Sequence, residues 1–328
     1  MPRVLVTGSE GSLMQAVIPK LLALGHDVYG VDKVFRKSHR NAGYHYKVIN
    51  LTRPFEVDDH FNEYDFDYVI QAAAQVYGVG GFNQYCADIV SNDTTLHSNI
   101  LNSSIRYDVK RVIFISSSMV YESVQKAINE TSLEGDPDKW PAPKTDYGLS
   151  KFFNERLSLS FEKQHGLDYT IWRPFNVITP YEIAHDTPGY AHVFADFIRS
   201  IITEGKNPIP IIGDGEQVRC FTWIDEVAAA IANFSFDGKT RNEVFNLGRK
   251  EPITMKTLAN LIYDAAKEAY LSDSGKLKFE TVENFKNDVT IRIPNVDKAK
   301  NILGWEAIKS ARWSVKQCVN EYYKNVKW

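Results

Sequence analysis

The sequence predicts an α/β fold: a doubly wound parallel sheet with a smaller α/β substrate-binding lobe. Three observations predict it. Short apolar runs at 3–7, 28–32, 45–49, 67–73, 111–116 and 169–173 alternate with helix-patterned stretches near 12–24, 92–106 and 147–165. Apolar strands separated by helices imply a parallel sheet covered on both faces. The chain also opens on strand, glycine turn, helix and strand, "RVLVTGSEGSLMQAVIPKLLALGHDVYGVDK" over residues 3–33. Regularity falls after residue 175, where "ITPYEIAHDTPGY", "EGKNPIPIIGDGEQ" and "GRKEPIT" punctuate the chain with Gly and Pro. Helices are expected there at 255–269 and 311–324. Apolar stretches near 220–233 and 243–247 are expected to return to the first lobe. The predicted division is 1–174 with a returning segment at about 220–248, against 175–219 and 249–328.

Composition bounds the function. The 328 residues are enough for a sizeable core. The 38 Lys+Arg against 41 Asp+Glu leave a net charge of -3. That balance argues against nucleic acid and anionic membranes as partners. No apolar run is long enough to span a bilayer. The chain enters its first strand directly, so no leader peptide is expected. Cys86, Cys220 and Cys318 are scattered, with neither a disulfide framework nor metal-ligand spacing. A cytoplasmic location and no metal are expected.

The first strand leads into a turn and helix start formed by Gly8, Ser9, Glu10, Gly11, Ser12 and Leu13. Gly8 permits a tight turn, and Gly11 lets a pyrophosphate approach the backbone. The helix N-terminus adds free N–H groups and the positive end of its dipole. Asp32, followed by Lys33, ends the second strand 24 positions after Gly8. A carboxylate there accepts the ribose hydroxyls of NAD and repels the extra phosphate of NADP. This is the opening of a Rossmann-type sheet. Met14 stands where a third glycine is expected, one helical turn beyond Gly11. That glycine serves close helix–strand packing, so Met14 implies either a displaced helix or lost binding.

"PKTDYGLSK", residues 143–151, contains YxxxK. Tyr147 and Lys151 are four apart at a helix start and share a face. A nearby ammonium is expected to lower the phenol from its usual value of about 10. The phenolate then takes a proton from a hydroxyl while hydride leaves the same carbon. "VIFISSSMVYE", residues 112–122, is a buried strand ending in serines, one of which completes a triad.

These segments together resemble an extended short-chain dehydrogenase/reductase of the nucleotide-sugar epimerase/dehydratase family. The resemblance runs nearly end to end. It rests on "TGSEGS", Asp32, "VIQAAAQ" (69–75), "SSSMVY", "YGLSK", "RPFNV" (173–177), "GDGEQVRCFTWIDEVA" (213–228), "FNLG" (245–248) and "VDKAKNILGW" (296–305). It implies a catalytic triad of Ser117, Tyr147 and Lys151. It implies that Asn50 and Leu51 flank adenine, although the family more often has Asp at the first place. Ala72, Ala73 and Ala74 would line the cofactor, NAD. Arg219 and Arg292 would clamp a nucleotide-sugar diphosphate, with Asn176 nearby; guanidinium groups suit phosphate geometry. The glycine-rich "QVYGVGGFNQY" (75–85), with Gly78, would face the sugar.

That loop is similar to those of GDP-mannose 3,5-epimerase and GDP-fucose synthase, which points towards a GDP-sugar. The departures narrow the chemistry. The cysteine base of those enzymes falls at Met119, and the synthase's histidine at Tyr181. The Asp-Glu pair of the 4,6-dehydratases falls at Ser118–Met119. What remains suits an NAD-dependent 4-epimerase. A 4-keto reductase, a 4,6-dehydratase and a non-catalytic NAD-binding scaffold are the alternatives. His185 and His192 are further candidates. The resemblance also implies a homodimer built from helices near 92–106 and 147–165.

Overall fold

The computed structural model describes the chain except residues 36–42, 125–127, 134–139, 183, 185–189, 270, 272–274, 284–288 and 327–328. The first strands are β1 (Arg3–Thr7), β2 (Asp27–Asp32), β3 (Tyr44–Val48), β4 (Tyr68–Gln71), β5 (Arg111–Ile115) and β6 (Asp168–Pro174). The helices between them are α1 (Ser12–Ala23), α2 (Pro54–Glu63), α3 (Val79–Gln84), α4 (Cys86–Arg106) and α5 (Asp146–His165). The rest of the chain forms β7 (Val177–Ile178), α6 (Val193–Ile198), β8 (Ile209–Ile212), β9 (Val218–Cys220), β10 (Thr222–Trp223) and α7 (Ile224–Phe234). After these come β11 (Glu243–Leu247), β12 (Pro252–Thr254), α8 (Met255–Ala269), β13 (Phe279–Val282), β14 (Ile291–Arg292), α9 (Asp297–Leu303) and α10 (Ala311–Val326).

Seven strands make one sheet, in the order β11-β6-β5-β4-β1-β2-β3. Every pairing in it is parallel. The order reverses beside β1, and a crevice opens at such a switch point at the C-terminal strand ends. One face carries Val17, Ile18 and Leu21 of α1 with Val227 and Ile231 of α7. The other carries Val57 and Phe61 of α2 with Leu96 and Ile100 of α4. Smaller sheets β12-β9-β14, β13-β8 and β10-β7 make up the rest. Among the described residues no helix is long and apolar enough to cross a membrane.

Several elements differ from the sequence expectation, the short helices α3, α6 and α9 among them. α2 was not expected; its apolar residues are few, and Pro54 at its start supplies the helical φ. α4 begins at Cys86 rather than near 92.

α5 runs against the usual amphipathic rule. Its buried face is Tyr147, Gly148, Ser150, Lys151, Asn154, Glu155 and Ser158, whereas Leu149 and Phe153 are exposed. Most of the polar face meets specific partners; Ser150 Oγ and Asn154 Oδ1 have none among the described residues. Ser158 Oγ lies 2.9 Å from His97 Nε2 of α4. Burial holds that imidazole down, to about 3, so it stays neutral. Asn154 donates to the Asp93 carbonyl at 3.2 Å. Glu155 takes a bidentate pair from Arg173 of β6, with Nε and Nη2 at 2.9 and 2.6 Å, and also accepts from Ser116. Arg173 donates onward to the Tyr121 hydroxyl, which donates to Asn246 Oδ1 at 2.8 Å.

Both charges of the Glu155–Arg173 pair are buried, so removing one leaves the other uncompensated. Glu155→Gln should lower stability by about 3–5 kcal/mol. Urea unfolding checks this; an unchanged midpoint would show that the pair does not hold α5 in place.

Candidate active site

A cleft of about 1280 Å³ runs along the C-terminal ends of the sheet strands. Of the described residues singled out from the sequence for a cofactor, substrate or catalysis, all but Ser9 line it. Ser9 is fully buried, and its N–H donates to Val31 O at 3.2 Å. It therefore belongs to the turn between β1 and α1, tied back to β2, and not to the cleft wall.

The cofactor half starts at Gly8, whose φ is +63°. A Cβ there would lie 2.8 Å from Ala73 N and Cα, so the turn presses directly on the Ala72–Ala74 segment. Thr7 holds that segment: its hydroxyl accepts from Ala72 N and Ala73 N at 3.1 and 3.2 Å. Gln71 accepts from Thr7 and donates to Ala73 O at 3.2 Å. Thr7 and Gln71 carry no chemistry of their own, and nothing in the sequence motif singled them out. Asp32 accepts from Glu10 N at 3.1 Å and Val34 N at 3.3 Å, which fixes its carboxylate on the cleft. Asn50 turns back on itself, accepting from Thr52 N at 3.1 Å, and Leu51 is buried beside it.

Met14 is 1% exposed, packs in the α1–sheet core and touches the cleft. α1 still begins at Ser12, directly after Gly11. The flexible side chain fills the space between helix and sheet without moving the helix start from the turn. The Gly8 cradle, the helix start and the Asp32 carboxylate together fit a dinucleotide.

At the centre of the cleft, Ser117 ends the loop after β5 and accepts from Met119 N at 3.2 Å. Tyr147 stacks flat on Phe82 of α3, with centroids 4.8 Å apart. Lys151 Nζ lies 5.8 Å from the Tyr147 ring centre and donates to Ile115 O at 3.0 Å. Glu122 fixes the start of α5, accepting from Lys144 N and Thr145 N at 2.8 and 2.7 Å. Thr145 caps the helix through Gly148 N at 3.1 Å.

The expected lowering of the Tyr147 phenol is not what this environment does. Burial pushes the phenol above its usual value, and the buried Asp93 carboxylate adds to the rise; Ser117 and Arg292 oppose it. Lys151 is itself lowered by burial. Asp93 is buried on α4, and its carboxyl is pushed up to about 6 by burial. One oxygen accepts from Gln75 N at 2.8 Å; the other has no hydrogen-bond partner among the described residues.

The outer half of the cleft carries Arg219 and Arg292, paired across β9 and β14 and both buried. Arg219 donates to Val218 O at 2.9 Å. Arg292 Nη1 lies 2.7 Å from Met119 Sδ. Asn176 (φ +24°) donates to Cys220 O at 3.1 Å. Gly78 N donates to Tyr190 O at 2.8 Å. Glu182 accepts from both the backbone N and Nδ1 of His192, at 2.9 and 2.8 Å, and raises that imidazole. Tyr181 lines the cleft and is raised by burial. His185 lies outside the described residues. No cluster able to hold a metal occurs among the described residues.

Residues 4–248 match the NAD dependent epimerase/dehydratase family. The chain belongs to that family. It is an enzyme of the extended short-chain dehydrogenase/reductase type, with NAD as its cofactor. It is 26% identical to GDP-L-fucose synthase 1 of Arabidopsis thaliana over 333 residues, covering 99% of this chain and 94% of the relative. It is 29% identical to UDP-glucuronate 4-epimerase of Thermodesulfobacterium geofontis over 341 residues, covering 98% and 96%. The crystal structure of UDP-glucose 4-epimerase with UDP-glucose from Thermotoga maritima superposes with a TM-score of 0.84 at 27% identity, covering 99% and 100%.

Gly8→Ala tests the dinucleotide cradle. The added Cβ meets backbone that cannot yield cheaply, at a φ that disfavours any side chain. NAD affinity should fall at least about tenfold, a loss of about 1.4 kcal/mol. Calorimetric titration that gives wild-type affinity would place NAD elsewhere.

Proposed function

We propose that this enzyme is a nucleotide-sugar 4-epimerase. The observation that carries the reading is the cleft-lining Ser117, Tyr147 and Lys151 constellation, with no acidic residue at Ser118 or Met119 to drive elimination. The UDP-glucose and UDP-glucuronate 4-epimerases among its relatives support it. The loop likeness to GDP-sugar enzymes keeps a GDP-sugar among the substrates to be tested.

NAD supplies the acceptor for hydride from the sugar's 4-carbon and its later return. Tyr147 as phenolate takes the proton of the 4-hydroxyl. Ser117 donates to the same oxygen as it becomes a ketone. Lys151 favours the phenolate electrostatically and holds the cofactor ribose. The keto-sugar turns over in the cleft, and Tyr147 returns its proton to the oxygen on the other face. Arg219 anchors the diphosphate, so remote binding energy positions the ring. Asp32 selects NAD over NADP. In this reading 1–174 with about 220–248 is the NAD-binding unit, and 175–219 with 249–328 holds the nucleotide sugar.

One observation favours a second reading. Glu182 orients His192 on the cleft wall, an arrangement that suits proton exchange at a carbon beside the ketone. Ring-proton NMR in deuterated water, on UDP-, GDP-, CDP- and dTDP-sugars, separates the two. The 4-epimerase changes the 4-configuration and leaves every ring carbon without deuterium. Deuterium at the 3- or 5-position would favour the second reading. Tyr147→Phe should lower turnover about 10²–10⁴-fold with NAD still bound; near-normal turnover would remove Tyr147 from the chemistry.

We also propose a homodimer joined through α4 and α5. The apolar residues that α5 leaves outside, Leu149 and Phe153, suit a helix partner. Light scattering at micromolar concentration should give twice 37.4 kDa; a monomer would refute the interface.

A further inference from the structure

Tyr147 lies outside both cores that flank the sheet. It belongs to a small cluster of its own with Phe82 of α3 and Ile89 of α4, against which Tyr77, Tyr85 and Met119 pack. Phe82 is 5% exposed and lines the cleft. Its ring is parallel to the Tyr147 ring within 4°, with centroids 4.8 Å apart. That spacing falls in the favourable range for aromatic pairs, about 4.5–7 Å. α3 is itself held at several points. Gly81 lets Tyr77 come close: a Cβ there would lie 2.5 Å from Tyr77 Cβ. Tyr77 stacks on Tyr85 with centroids 4.9 Å apart, and Tyr85 meets Tyr190 edge-on at 6.4 Å. Gly78 N donates to Tyr190 O at 2.8 Å, and the Tyr190 hydroxyl donates to Gln84. The ring that faces Tyr147 thus stands on a braced element.

Other groups fix the two ends of the Tyr147 side chain. Its Cα sits in the first turn of α5, and Ser117 hydrogen-bonds its hydroxyl. Turning the ring about its long axis moves neither end. A tyrosine χ2 has only a broad two-fold preference of its own. The turn matters chemically. The phenol O–H lies in the ring plane, because the oxygen conjugates with the ring. The ring plane therefore sets the direction in which the proton leaves and returns. A contact over the ring's face fixes that plane. Phe82 supplies one; Lys151 Nζ, 5.8 Å from the ring centre, presents a point and not a plane.

We propose that Phe82 is a positioning residue for the reaction: its stack on Tyr147 fixes the plane of the phenol and so the direction of proton transfer. This rests on the assignment of proton transfer to Tyr147 above; the ring measurement that follows does not.

The test is NMR of NAD-loaded enzyme carrying isotopically labelled tyrosine rings. Signals that vanish in Tyr147→Phe belong to Tyr147. A stacked ring flips slowly, so wild type should show separate signals for the two sides of the ring. Phe82→Leu keeps apolar volume and removes the flat face, and should merge them into one. On whichever UDP-, GDP-, CDP- or dTDP-sugar is turned over in the deuterium experiment, Phe82→Leu should lower kcat about tenfold or more. KM should stay within about twofold. Phe82→Tyr, which keeps the aromatic face, should retain separate signals and most of kcat. Retained NAD binding verifies that each variant is folded. A single averaged Tyr147 signal in wild type would overturn the proposal. So would separate signals that survive in Phe82→Leu, or a loss confined to KM. Near-normal turnover in Tyr147→Phe would instead remove the role of Tyr147, and with it the catalytic sense of the stack, while the ring signals still report the stack itself.

Discussion

Arg173 and Glu155 join β6 to α5 through a buried bidentate ion pair, and the active-site geometry depends on it. Ser116 adds a third contact from the end of β5, next to Ser117. Tyr147 and Lys151 sit on the first turns of the same helix. One fixed polar joint thus sets the relation between the serine loop and the helix that carries the other two catalytic candidates. The joint extends beyond the sheet. Arg173 reaches Tyr121, Tyr121 reaches Asn246 of β11, and Asn246 donates to Asn295 O at 3.0 Å. Asn295 lies just beyond β14, which carries Arg292. A buried chain of hydrogen bonds therefore links α5 to the segment that holds the outer arginine. Such a network stabilises a site only when every member is satisfied.

The same joint accounts for the inverted helix. A helix normally buries its apolar stripe. α5 gives its buried side to Lys151, Asn154, Glu155 and Ser158, which meet Ile115 O, Asp93 O, Arg173 and His97 inside. Its apolar residues are left to meet other surfaces. Phe152 packs on the small cluster around Tyr121, and Leu157 and Phe161 pack against the α2–α4 core. Leu149 and Phe153 remain exposed. The surplus of apolar residues around the helix was readable in the sequence. Which of them faced out was not, since helix periodicity assumes that the polar side faces water.

Electrostatics gives the cleft two distinct ends. The inner end has a phenol raised by burial and an ammonium lowered by it. Both shifts resist charge. The outer end concentrates charge instead, with two buried arginines and the Glu182–His192 pair.

The sequence by itself determined the class of fold and most of the cleft. Strand–turn–helix order, the Gly8–Asp32 spacing and the Tyr147–Lys151 spacing are local patterns, and local geometry follows from them. The parallel sheet and nearly all the cleft-lining candidates were legible for that reason. Tertiary structure decided the rest. Ser9 was placed inside because its N–H pairs with β2. Met14 was accommodated because space exists between α1 and the sheet, which no motif encodes. Thr7, Gln71, Asp93 and Glu122 became supports only when partners up to 66 positions away came within hydrogen-bonding distance. The direction of the Tyr147 shift was also decided there, because burial depends on everything packed around a group and spacing records only its neighbours along the chain.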